Sequence, residues 1–142
     1  MIAHRVWLTM LAALLVSGGL TASAQSSAVT PGQVPAFMGT WVFTMTNPSG
    51  SEQTVRIWDK NGAIAASVQV GKFPPTDVTG IIKDGDMLVL SISHEAQPSM
   101  LENGAPIWAV ISLTLHGDTM EMAQMLERSQ TIKRGTGKKQ SD

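Results

Sequence analysis

From Gly39 to Arg134 apolar and polar residues alternate with a period of two, broken by turn residues at intervals of about ten positions, the pattern of antiparallel strands that bury one face. The clearest stretch is Gly39-Thr40-Trp41-Val42-Phe43-Thr44-Met45, whose alternate residues Trp41, Phe43 and Met45 project to one side. Beyond residue 38 no segment sustains a helical period. The alternation predicts strands over 39–46, 52–59, 62–70, 76–83, 86–93, 106–116, 118–127 and 130–134, and eight strands are enough to close a small barrel. The expected fold class is all-β, a small eight-stranded antiparallel up-and-down barrel.

The connections alternate in length. Lys60-Asn61-Gly62, Lys83-Asp84-Gly85-Asp86 and His116-Gly117-Asp118 are tight turns built on residues that tolerate positive φ. Between them lie Asn47-Pro48-Ser49-Gly50, Gly71-Lys72-Phe73-Pro74-Pro75 and the long stretch from His94 to Ala105. Successive connections of a meander fall at opposite ends, so the tight turns should gather at one end and the long loops at the other. The expected barrel is closed at the first end and open at the second.

One face of each strand reads inward: Trp41, Phe43 and Met45; Val55 and Ile57; Ile64, Ala66, Val68 and Val70; Val78, Gly80 and Ile82; Leu88, Leu90 and Ile92; Ile107, Ala109, Ile111, Leu113 and Leu115; Met120 and Met122. Burying these side chains, at roughly 25 cal/mol per Å² of apolar surface, offsets the ordering of the backbone. A ligand should enter between the Phe73 loop and the His94 to Ala105 loop and meet Met45, Val70, Val78, Ile92 and Ile107, with Gln124 or His94 offering a hydrogen bond. The competing expectation is that Phe43 and Met45 fill the interior.

The ends of the chain read differently. Residues 1–24 carry His4 and Arg5, an apolar run from Val6 to Val16 and then Ala22-Ser23-Ala24, the order of a secretory signal peptide cleaved after Ala24. Ser17, Gly18 and Gly19 interrupt the run short of the ~20 residues that a membrane span requires. Residues 25–38 begin as a polar linker and finish with Val34, Phe37 and Met38, an apolar plug for one end of the barrel. Residues 135–142 are basic and glycine-containing, and the expectation there is a disordered tail.

Cleavage would leave 118 residues, enough for one core. It would also remove Arg5, leaving 9 basic against 11 acidic residues, a balance that argues against nucleic acid as the partner. The sequence holds no cysteine, so neither disulfides nor thiol chemistry contributes. His94-Glu95-Ala96-Gln97-Pro98 starts like a zinc-protease motif but has Pro98 at the second ligand position, and no nucleophile elbow or phosphate loop occurs. Met120 and Met122 share a strand face that Met125 does not, which argues against a thioether metal site. The reading is of a protein without catalysis, metal or cofactor. Trp58 and Trp108 face away from their strands' inward sets and, if they met outside, would suit a protein partner or a homodimer.

Gly39 and Trp41, the Gly-Asp turns at 85 and 117, and Lys133-Arg134 together resemble small bacterial exported lipocalin-like, or calycin-like, barrels over about residues 38–134. The resemblance implies a binding module for a small hydrophobic molecule, with Trp41 buried at the closed end against the stem and charge of Lys133 or Arg134. The chain is shorter than full lipocalins, lacks their cysteines and shows no C-terminal helix. A second likeness is to exported barrels that inhibit secreted metalloproteases through an N-terminal arm, the place of residues 25–33 here, although the cysteine pair common in those inhibitors is absent. Export to the periplasm or medium has a direct test: mass spectrometry of the exported protein should find Gln25 as its first residue, and Met1 in that fraction would refute cleavage.

Overall fold

The computed structural model describes residues 28–46, 49–93, 101–102, 105–106, 109–126 and 131–141. The signal segment expected over 1–24 lies outside them. Two single 3-10 turns, Pro31–Gln33 and Pro35–Phe37, lead into strands β1 (Gly39–Thr46), β2 (Ser49–Lys60), β3 (Ala63–Val70), β4 (Thr76–Asp77), β5 (Gly80–Asp84), β6 (Met87–Ile92), β7 (Leu101–Glu102), β8 (Ala105–Pro106), β9 (Ala109–His116), β10 (Thr119–Leu126) and β11 (Ile132–Lys139). The protein is all-β. Nine strands form one curled antiparallel sheet in the order β4-β3-β2-β1-β11-β10-β9-β6-β5, and β7 pairs with β8.

The first and last long strands are neighbours, which is what brings the meander round on itself. The edge strands β4 and β5 are consecutive in the chain, separated by Val78 and Thr79. The Val78 N–H donates to Ala66 O at 2.9 Å and the Thr79 N–H to Ser91 O at 2.8 Å, so residues 76–84 leave β3 and join β6 midway. The expected strand 76–83 is thus two strands, and its alternation slips at the exchange. Val78 and Ile81 pack on the core, whereas Ile82 is 53% exposed. The inward assignment of Ile82 is corrected accordingly: changing ladders across one extra residue reverses the faces that follow, as a bulge does.

The core is otherwise one continuous cluster of the alternating apolar residues, with Phe43, Leu88, Leu90, Ile111, Leu113 and Met120 fully buried. Within it β1 and β11 approach each other closely. Phe43 pairs with Gly137 and Met45 with Gly135, and both glycines are buried. A Cβ added to Gly137 would lie 2.6 Å from the Phe43 ring, and one added to Gly135 would overlap the Met45 sulfur. The two large side chains therefore lie flat against bare backbone. The basic tail expected beyond Arg134 is corrected by the same observation, because β11 continues to Lys139.

Antiparallel pairing places Asn61-Gly62, Gly85-Asp86 and Gly117-Asp118 at one end. Asn61 and Gly62 take φ of 55° and 89°, the left-handed pair that an Asn-Gly hairpin turn requires. Residues 28–38 cover this end: Val29, Val34 and Phe37 are buried, and the Trp41 indole N–H donates to Phe37 O at 2.9 Å. Trp41 is buried as expected, but the register sets it opposite Lys139, not Lys133 or Arg134. Arg134 instead lies at the far end of β1, where its carbonyl accepts the Thr46 hydroxyl at 3.0 Å. The stacking of Lys133 or Arg134 on Trp41 is therefore corrected: seating Phe43 and Met45 on the glycines slides the strand along. Gly39, at φ 114°, is where the Lys139 stem crosses, 2.8 Å from any Cβ that would be added.

Gly137→Ala should cost about 1–3 kcal/mol by overpacking. Denaturant titration would check this, with Phe43→Leu in the same chain recovering part of the loss.

Candidate functional site

The connections β3–β4, β6–β9 and β10–β11, all longer than the tight turns, fall at the opposite end together with the two-residue connection β1–β2. The inward faces of β2 and β10 do not stay apolar as they approach it. The next inward residue after Val55 is Gln53, and the next after Met122 is Gln124, both buried at 5% exposure. Their strands are separated by β1 and β11. The side chains nevertheless meet inside the curl, Gln53 Nε2 donating to Gln124 Oε1 at 2.9 Å. Gly135, with no side chain of its own, lies on the intervening strand, and Met45 is packed on it.

This pair is the main polar feature of the interior, and it is incomplete. Gln53 Oε1 is buried and has no hydrogen-bond partner. A buried amide oxygen without a donor is costly, so the site is built to accept one or carries a standing penalty. Thr76, also buried, belongs to the same end, opposite Val68.

The residues expected to meet a ligand divide into three groups. Met45, Ile92 and Gln124 are buried, and Val70, half-buried, is the cross-strand partner of Gln53. Val78 is corrected: it lies one inward step below the loop end, beside Ala66, and Thr76 holds the position assigned to it. Phe73, on the β3–β4 loop at this end, is 72% exposed. Ile107, His94 and Trp108 lie outside the described residues. On the outer wall Trp58 is half-buried and the Arg56 guanidinium sits 5.1 Å from its ring centre, so part of its face is already covered. Gln53 was missed, although it continues the alternation Gln53-Val55-Ile57, because the inward set was ended at the last apolar residue.

Other features lie elsewhere. An open cleft of about 470 Å³ runs between residues 33–37 and the β5–β6 turn at the closed end, and one of about 230 Å³ follows the seam between β3 and β5 beside Val29. His116 Nε2 lies 3.1 Å from Glu121 Oε2 on the exposed surface, also at the tight-turn end. Among the described residues no group of three or more His, Cys, Asp or Glu side chains could hold a metal ion. Among them too, no helix is long and apolar enough to cross a membrane. No family model, no curated protein and no solved structure matches the chain.

Replacing Gln53 alone by Leu strands the Gln124 acceptor and should cost about 1–3 kcal/mol, whereas Gln53→Leu with Gln124→Leu should be nearly neutral or stabilising. Chemical denaturation of the two single variants and the double variant would measure the coupling.

Proposed function

We propose that the chain is an exported, non-catalytic binding module, a lipocalin-like barrel that takes a small, largely hydrophobic ligand at its loop end. The observation that carries this reading is the contrast between the two ends. The tight-turn end is plugged by Val34 and Phe37 and sealed by the Trp41 hydrogen bond. The loop end is where a buried polar group without a partner, Gln53 Oε1, interrupts an otherwise apolar interior. Apolar walls with a few placed polar groups are the composition of small-molecule sites. Phe43 and Met45, packed on Gly135 and Gly137, form a solid floor, so the site is shallow and the ligand small.

The closed eight-stranded barrel belongs to this reading. β4 and β5, counted together as one strand that changes partner at Val78 and Thr79, bring the sheet to eight staves with its edges tied. The alternative of a protease-binding arm over residues 25–33 has less support, because Val29 is buried and its carbonyl accepts the Ile64 N–H at 2.9 Å. An arm fixed in this way is not free to enter an enzyme.

Titration of the mature protein with the neutral fluorophore N-phenyl-1-naphthylamine, followed by native mass spectrometry, should reveal saturable one-to-one binding. Val70→Trp or Ile92→Trp should abolish it by occupying the mouth. Binding that survives both substitutions would place the site on another surface, and the absence of binding would sink the proposal.

A further inference from the structure

We infer, building on the ligand-binding reading above, that the loop-end site selects neutral molecules bearing an O–H or N–H group, which they donate to Gln53 Oε1. The acceptor is already oriented. Gln53 Nε2 is committed to Gln124 Oε1 at 2.9 Å, which holds the amide across the interior and leaves Oε1 as its free pole. A buried carbonyl oxygen can be satisfied only by a donor.

The surrounding charges narrow the chemistry. A carboxylate or phosphate presents acceptors alone and would set negative oxygen against the Gln53 oxygen. An ammonium group could donate, but the half-buried Lys133 is the cross-strand partner of Gln124, and a second cation beside it is disfavoured. A neutral alcohol or uncharged amide satisfies the oxygen without either conflict. Its apolar body would rest on Phe43 and Val70, the cross-strand partners of Gln53 on its two neighbouring strands. The glutamine pair thus acts as a filter on the head group, and the apolar walls contribute affinity without discrimination.

The test compares 1-octanol, 1-methoxyoctane, octanoate and octylamine as displacers of N-phenyl-1-naphthylamine from the mature protein. The ether is more apolar than the alcohol, so partitioning alone would favour it. The expected result is that octanol binds about tenfold or more tightly than the ether, the scale of one buried acceptor left unmet, with both ions weaker than octanol. In Gln53→Leu/Gln124→Leu the preference for the alcohol should vanish. Gln53→Met, close in length, is the second variant should the double one fold poorly.

Equal binding of alcohol and ether to the native chain would overturn this inference while leaving the ligand-binding reading in place. Saturable octanoate binding tighter than octanol and lost in Lys133→Met would overturn it in favour of an anion site. A preference for the alcohol that persists in both variants would place the acceptor elsewhere and overturn it too. Failure of all four compounds to displace the fluorophore, with no binding by native mass spectrometry, would remove both the inference and the reading beneath it.

Discussion

The seating of Phe43 and Met45 on the bare backbone of Gly137 and Gly135 is the contact on which the rest of the sheet depends. A meander becomes a curled enclosure only when its first and last strands pair, and those strands are far apart in sequence. Backbone ladders alone specify the register of such a pair weakly, since a slip of two residues preserves every hydrogen bond and both faces. Side-chain volume specifies it here. Only with the two glycines beneath the two large residues does the interior close without overlap, and this fixes Trp41 opposite Lys139 and Thr46 beside Arg134. The solid floor of the proposed ligand site is a consequence of the same packing.

The opposite side of the curl is held by a different device. Residues 76–84 do not span both neighbours along their full length, since a twisted, strongly curled sheet accumulates stagger between its strands. The chain does so by serving β3 with Thr76 and Asp77 and β6 with Gly80–Asp84, changing over at Val78 and Thr79. The lower edge of β3 is left uncovered by β4, and Val29 takes part of that place, accepting the Ile64 N–H and burying its side chain. An exposed strand edge is an invitation to unintended pairing. Covering it with the segment that also covers the tight-turn end of the curl gives residues 28–37 two structural tasks at once.

Period-two alternation was enough to read the all-β class, the tight-turn end and nearly all of the core, because burial of one face imposes that period directly on the sequence. The misreadings share a cause. Alternation over 76–83 points Ile82 inward because it cannot register a change of ladder partner within a strand. The continuation of β11 past Arg134 was hidden because Gly135 and Gly137 carry no apolar signal, though they are as inward as Phe43. Gln53 is hard to read for a related reason: its polarity argues for solvent, its position on the Val55 and Ile57 face argues for the interior, and geometry prevails. Inwardness belongs to the backbone, and the residue type only correlates with it.

That distinction bears on what the interior glutamines are for. An apolar pair at 53 and 124 would satisfy the packing of this end with no desolvation cost, and stability alone would favour it. The Gln53–Gln124 hydrogen bond offsets part of the cost for two of the polar atoms but does nothing for Gln53 Oε1. The exception falls at the end where the connections are longest, not at the plugged end, where the indole N–H of Trp41 has its acceptor in Phe37. Among the described residues the buried Trp41 N–H is paired within the protein and Gln53 Oε1 is not, and that difference between the two ends is what the proposed ligand site rests on.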